Sequence, residues 1–335
     1  MILVTGGTGM LGAHLLFQLA CSEERVRATY RSSISLDRTR KVFSYYTDNV
    51  QDLFSKIDWV KTDITNISSL ESAFEGVSSV YHLAAFVSFD SIAYKEMRDV
   101  NIIGTENIVN LCIAYRVQKL CYVSSIATIT KSIQKTFIDE EDEFTVEQSN
   151  HGYAITKFGA EMEVWRGAQE GLSVFIVNPG VVLGPGFWKE NSGALFTMVY
   201  EGSLFYTESV TGFVGVKDAV NILVKGMNST IVNERFVLVS ENKSFKEVLN
   251  LIAKSFHKPP PRIKASFLVV ELGWRLSWLK SKLTSTPNRF TKQIARSANN
   301  KSYYSSEKVK RSFDFEFEPL ETVIKKITEN YLLDK

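Results

Sequence analysis

Cysteine is scarce in this chain: Cys21, Cys112 and Cys121 are the only three in 335 residues. Each sits in an apolar segment, and none has metal-ligand spacing. The pattern gives no disulfide framework and predicts buried thiols in a reducing compartment. Histidine is almost as rare. His14, His82, His151 and His257 are scattered along the sequence, so no metal site is expected. No apolar run reaches the roughly 18 residues that a membrane-spanning helix needs. The longest candidate, Phe267 to Leu279, is interrupted by Glu271 and Arg275. Internal repeats and low-complexity tracts are also missing. What remains is a chain of 44% hydrophobic residues, long enough for one large α/β domain with an appended cap.

The net charge of +2 hides an asymmetry. Residues 1–240 carry 20 Lys and Arg against 27 Asp and Glu, whereas residues 241–335 carry 19 against 10. The C-terminal part is therefore a candidate for contact with acidic partners. Residues 262–283 read as a basic amphipathic helix, with Phe267, Leu268, Trp274, Trp278 and Leu279 among Arg275, Lys280 and Lys282. A solvated basic face, peripheral membrane contact or recognition of an anionic substrate each suit such a segment. Nucleic-acid binding lacks a supporting motif. The acid run Asp139–Glu143 reads as a solvated loop.

The first residues are the most informative. Ile2, Leu3 and Val4 suit a buried strand, Thr5-Gly6-Gly7 a turn, and Leu11, Leu15, Leu16 and Leu19 recur at helical spacing. Gly6, Gly9 and Gly12 fall within this strand–turn–helix, where they allow a tight turn, close approach of a pyrophosphate and close helix packing. The free N–H groups and dipole of the helix start favour a phosphate. With a strand beginning at residue 2 there is no room for a signal peptide, and a cytoplasmic location is expected.

Strand and helix patterns then alternate. Strands are predicted at Ile2–Thr5, Val26–Tyr30, Asp58–Lys61, Ser79–Leu83, Lys119–Ser124 and Ser173–Asn178, with helices near 9–21, 66–75, 91–115 and 152–170. That order predicts a doubly wound parallel sheet with helices on both faces. A dinucleotide-binding domain is expected over 1–180, its sheet completed by parts of 211–240, with 181–335 mainly a substrate-binding cap. Ser244 and Glu247 form a capping box for a helix over Ser244–Phe256.

Three further features carry chemistry. Tyr153 and Lys157 lie one helical turn apart. A nearby ammonium lowers a phenol from its usual value near 10 by about 1–3 units, toward useful acid–base range. Ser124-Ser125 ends a buried strand, where α/β sheets bind ligands. Asn101 lies in the helical segment that runs on through Gly104 and Asn107.

Together with Thr5 to Gly12, Asp63-Ile64, His82-Leu83-Ala84-Ala85 and Asn178-Pro179-Gly180, these residues make the chain similar to the extended short-chain dehydrogenase/reductases, in the dihydroflavonol-reductase-like branch. The resemblance implies a Rossmann sheet of about seven strands with a small C-terminal α+β substrate domain. It implies Tyr153 as general acid/base, Lys157 as its partner and ribose ligand, Ser125 as the group polarising a carbonyl or alcohol, and Asn101 as holder of a relay water. Gly6, Thr8, Gly9, Met10 and Leu11 would cradle the cofactor. Asp63 and Ile64 would embrace its adenine, Leu83, Ala84 and Ala85 would line it, and Pro179, Val181 and Val182 would meet its nicotinamide. Phe86, Ser88, Phe89 and Asn178 are candidate substrate contacts. A homodimer through the helices near 91–115 and 152–170 is implied as well.

An enzyme of NAD usually places an acid about 20 residues beyond the glycines. Here the second strand ends Tyr30-Arg31-Ser32, and Arg31 suits a 2′-phosphate, with Ser32, Arg38 or Arg40 helping. NADP is expected, with NAD the alternative. The expected reaction interconverts a ketone or aldehyde and its alcohol. A nucleotide-sugar epimerase or dehydratase is the second reading, although the Tyr-Gly usual there is Ile129-Thr130 here. An NADP-sensing protein without catalysis is the third.

Overall fold

Successive strand residues divide between two cores. In β1 (Ile2–Thr5), Ile2 and Val4 enter one and Leu3 the other. In the strand Lys119–Val123, Cys121 joins the first, and Leu120 and Tyr122 the second. The strand Val174–Pro179 sends Phe175 and Val177 one way and Val174 and Ile176 the other. Such a division requires a sheet covered on both faces. The computed structural model describes residues 1–22, 24–88, 90–130, 135–145, 151–265 and 300–335.

From the N-terminus the elements run β1, α1 (Met10–Ala20), β2 (Val26–Tyr30), α2 (Ser33–Phe43), α3 (Val50–Ser55), β3 (Ile57–Lys61), α4 (Ile67–Phe74) and β4 (Ser79–His82). There follow α5 (Tyr94–Arg98), α6 (Gly104–Ala114), β5 (Lys119–Val123), α7 (Gly152–Gln169), β6 (Val174–Pro179), β7 (Val181–Leu183), α8 (Gly193–Tyr200), β8 (Phe205–Tyr206) and β9 (Val210–Gly215). The rest comprises α9 (Val216–Asn228), β10 (Glu234–Leu238), β11 (Glu241–Ser244), α10 (Phe245–Ser255), β12 (Ile263–Lys264), α11 (Glu307–Phe313) and α12 (Leu320–Leu333).

The main sheet has seven parallel strands in the order β10-β6-β5-β4-β1-β2-β3. Residues of α1, α2, α3, α9 and α11 cover one face, and residues of α4, α6 and α7 the other. The order reverses between β1 and β4, which makes the crevice above their carboxyl ends the place for a ligand. A smaller sheet, β11-β9-β7, packs with α8, α10 and α12 around its own core. Beyond β7 the chain returns to the large sheet, with β10 as its edge strand and α9 and α11 packed against it.

The sheet, its order of elements and the Ser244–Glu247 capping box match the sequence reading. Four expectations change. The helix expected over 91–115 is a 3-10 turn, α5, a π-helical turn at Asp99–Ile103 and α6. The wider turn carries the inward-pointing Asn101, and π turns characteristically mark functional positions. The acid run is solvated only at Glu141 and Glu143 and is otherwise anchored: Asp142 is 4% exposed, and Glu140 Oε1 accepts the Val237 N–H at 2.7 Å on edge strand β10. Covering an edge donor in this way blocks strand pairing with other chains. Cys21 is exposed beyond the end of α1, while Cys112 and Cys121 are buried as expected. Finally, 262–283 does not open as a helix, because Ile263 and Lys264 pair with Phe205 and Tyr206 as a strand. Phe267, Leu268, Trp274, Arg275, Trp278, Leu279, Lys280 and Lys282 lie outside the described residues, as does Phe89. Among the described residues no helix is long and apolar enough to cross a membrane.

Phe175 tests the core beneath β6. Its ring stacks on Phe236 at 5.1 Å and meets Phe313 edge-on at 5.9 Å. Phe175→Ala should cost about 3–5 kcal/mol of stability, read as a lower denaturant midpoint with an unchanged slope.

Candidate active site

The helix α7 begins at His151, whose Nδ1 accepts the Ala154 N–H at 3.2 Å. From there Tyr153, Lys157 and Glu161 follow at intervals of one turn, on the face that meets the sheet. Lys157 is 2% exposed, and its Nζ donates to the Tyr122 hydroxyl at 2.7 Å and the Val123 carbonyl at 2.8 Å. Burial pulls its ammonium down to about 7, and the Glu161 carboxylate partly offsets this.

Tyr153 and Ser125 are brought together. Burial pushes the Tyr153 phenol up, and the hydrogen bond with the Ser125 side chain pulls the other way. Burial outweighs every influence that would lower the phenol, so the expected fall does not occur in this state. Ser125 Oγ also accepts the Ala127 N–H at 3.1 Å and so caps the 3-10 turn Ile126–Thr128. Ser124 is buried, and its hydroxyl donates to Glu161 Oε2 at 2.5 Å. The second serine therefore stands beside the phenol, and the first is committed behind it.

Asn101 is buried in its π-helical turn. Its Oδ1 accepts the Phe86 N–H at 2.7 Å, and its Nδ2 donates to the Phe86 carbonyl at 3.0 Å and to Thr156 Oγ1 at 3.1 Å. The amide thus clamps the segment after β4 against α7. Asn178 lies on β6. It is 0% exposed, and its Nδ2 donates to the Ser125 carbonyl, Thr128 Oγ1 and Glu161 Oε2 at 3.2, 2.9 and 2.9 Å. Phe86 is half-buried, and Ser88 Oγ accepts the Asp90 N–H at 3.1 Å.

A second buried chain of polar groups was not read from the sequence. His82 Nδ1 bonds Thr5 Oγ1 at 2.6 Å, and its Nε2 bonds Thr105 Oγ1 at 3.0 Å. Burial, helped by the Lys157 charge, pushes His82 down to about 3, so its imidazole is neutral. Thr105 also bonds the Tyr122 hydroxyl. Polar side chains therefore link Lys157 to the strand end that carries the glycine turn.

That turn fits a dinucleotide. Gly6 has a φ of +73°, and a Cβ on it would lie 2.5 Å from the Ala84 nitrogen. A Cβ on Gly12 would lie 2.1 Å from the Gly6 carbonyl oxygen. Gly9 is exposed and caps α1 with no side-chain hydrogen bond, so the helix start presents N–H groups to an anion. Thr8, Met10 and Leu11 stand half-buried around it. Leu83 and Ala84 are half-buried and Ala85 exposed along the neighbouring strand end. Asp63 Oδ1 accepts both the N–H and the hydroxyl of Thr65, at 2.9 and 2.8 Å, and Ile64 packs against Gly104. Pro179 pairs with Leu238 in the sheet, and Val181 and Val182 are half-buried in β7. At the end of β2, Arg31 and Ser32 are exposed. Arg38 is paired with Glu190 at 2.9 Å and Arg40 with Asp37 at 2.8 Å, which leaves Arg31 as the guanidinium of this cluster without an ion pair among the described residues.

A family model described as male sterility protein, an NAD-binding family, matches residues 4–249. The chain belongs to this family. It is an NAD(P)-dependent oxidoreductase of the extended short-chain dehydrogenase/reductase type. It is 27% identical over 292 residues to a putative dihydroflavonol 4-reductase of Synechocystis sp., covering 85% of this chain and 80% of the relative. It is 25% identical over 275 residues to cinnamoyl-CoA reductase 1 of Petunia hybrida, covering 79% and 80%. In fold it matches UDP-glucose 4-epimerase of Thermotoga maritima, solved with UDP-glucose, at a TM-score of 0.77 and 20% identity over 99% of each chain.

The glycines separate cofactor contact from folding. A Cβ on Gly9 meets only the Gly6 oxygen, at 3.4 Å. Gly9→Ala should keep the melting temperature and raise the dissociation constant for NADP(H) tenfold or more, on the order of 1.4 kcal/mol. Gly12→Ala should lower the melting temperature itself.

Proposed function

We propose that the protein is an NADP(H)-dependent oxidoreductase that reduces a ketone or aldehyde, or catalyses oxidation of the matching alcohol. The observation that carries this reading is the Ser125 hydroxyl bonded to the Tyr153 phenol, with Lys157 one turn further along the same helix. Ser125 holds the substrate oxygen. Tyr153 keeps a proton on its phenolic oxygen, because burial raises that group, and delivers it to the same substrate oxygen. Lys157 is fixed by Tyr122 and Val123 through two of its three N–H bonds, and in this reading the third serves the ribose. When bound, the nicotinamide exchanges a hydride with the substrate carbon.

Gly6, Gly9 and the start of α1 hold the diphosphate, and Arg31 takes the 2′-phosphate. The dihydroflavonol and cinnamoyl-CoA reductases among the relatives support a carbonyl substrate. Ile129, at the place of the epimerase Tyr-Gly, is buried among Ile126, Ile138 and Val237. It offers nothing to a sugar nucleotide.

Tyr153→Phe should leave NADPH binding intact and cut turnover by about 10²–10⁴-fold, measured by single-turnover absorbance against a carbonyl panel. Unchanged turnover would remove the role. The Michaelis constant should be lower for NADPH than for NADH, and Arg31→Ala should abolish that preference while leaving NADH kinetics alone. Affinity for NADPH should fall as pH rises through about 7, because Lys157 is charged below that point and neutral above it. Fluorescence titrations on either side of neutral would measure this, and a flat profile would contradict it.

A further inference from the structure

Glu161 is 0% exposed. A carboxylate so enclosed persists only when paired and hydrogen-bonded. Its Oε2 accepts from Ser124 Oγ at 2.5 Å, Thr128 Oγ1 at 2.8 Å and Asn178 Nδ2 at 2.9 Å. Its Oε1 accepts from an Arg235 guanidinium nitrogen at 3.1 Å and from Trp165 Nε1 at 3.4 Å. One carboxylate on α7 thus gathers the end of β5, the 3-10 turn after Ser125, β6 and β10. Arg235 is itself held by the carbonyls of Glu140, at 3.0 and 2.7 Å, and Asp142, at 2.8 Å.

We propose that Glu161 is the positioning residue of this site: it fixes the Ser124-Ser125 loop against the helix of Tyr153 and Lys157 and supplies the counter-charge of the Lys157 ammonium, while Arg235 tempers that charge. The proposal rests on the reading of Tyr153 and Lys157 as the catalytic pair. Among the described residues, the titratable and charged groups around Lys157 are Tyr153 and Glu161, one turn before and after it on its own helix, Tyr122 from β5 and His82 from β4, with Arg235 of β10 beyond Glu161. Burial holds Tyr122 and His82 neutral, so Glu161 is the anion that acts on Lys157.

Opposite signs follow for the two partners. Removing the anion should make Lys157 titrate at lower pH. Removing the cation that competes for the anion should make it titrate at higher pH. Loss of packing alone gives no reason for the two variants to move in opposite directions. The measurement is NMR of the cofactor-free protein carrying [ε-13C]lysine, with Lys157 assigned by the signal lost in Lys157→Met. In Glu161→Gln the Lys157 midpoint should fall by about one pH unit or more. In Arg235→Gln, which keeps the hydrogen bonds from Ser124, Thr128 and Asn178, it should rise. An unmoved midpoint in either folded variant, or movement of both in one direction, overturns the proposal. Should Glu161→Gln fail to fold around an unpaired Arg235, the double variant Glu161→Gln/Arg235→Gln decides in its place. A lower midpoint there supports the proposal and an unchanged one overturns it. Because no cofactor or substrate is present, an inactive enzyme would sink the reductase reading without touching this titration.

Discussion

Gly6 lies so near the Ala84 amide that a methyl group on it would come within 2.5 Å of that nitrogen. This approach occurs where the sheet order reverses between β1 and β4, and the rest of the site depends on it. Only backbone without a side chain permits the turn at positive φ together with the contact. The turn in turn sets the start of α1 beside the segment that follows β4. A residue with a Cβ there would push β1 and β4 apart and move the glycine loop away from Ser125, Tyr153 and Lys157. The glycine turn and the helix of Tyr153 and Lys157 are therefore one construction, held in register by the parallel pairing of Thr5 with His82 and of His82 with Tyr122.

That register also explains the buried polar groups. Thr5, His82 and Tyr122 occupy adjacent strands at matched positions, and their side chains, with Thr105 from α6, bond in sequence toward Lys157. Each would be costly if buried alone. As a connected set they satisfy one another, and they place an ammonium in a dry site where its proton is loosely held. A lysine at the surface would remain charged throughout the physiological range and could not respond to pH near neutrality.

The sheet was legible because its signals are local. Apolar runs, a glycine turn and period-two burial fix β1 to β6 almost to the residue. The Tyr153/Lys157 pair was legible for the same reason, since one helical turn is a fixed spacing. Less legible were features whose meaning depends on residues far away in sequence. The amide of Asn101 meets Phe86 and Thr156, 15 and 55 positions away in sequence. Asp139–Glu143 read as a solvated run, yet Arg235, almost a hundred positions later, gathers two of its carbonyls. Glu161 did leave a trace: an acid one turn beyond Lys157, beside Ala160 and Val164 on the buried face, has no reason to be there unless something pairs with it.

The arrangement of charge accounts for the roles that the two serines take. Ser124 faces the anion and gives it a proton bond, so it is a poor partner for a substrate oxygen, which needs that same proton. Ser125, one residue on, points to the opposite side of the extended strand end and reaches the phenol instead. Alternation along a single strand therefore separates a hydroxyl committed to Glu161 from one that reaches Tyr153. Exchanging their order by a one-residue slip would turn the Ser125 hydroxyl toward Glu161 and leave the phenol alone. The network of Asn178, Thr128 and Arg235 around that carboxylate opposes such a slip, because each of its bonds is made from a different strand or turn.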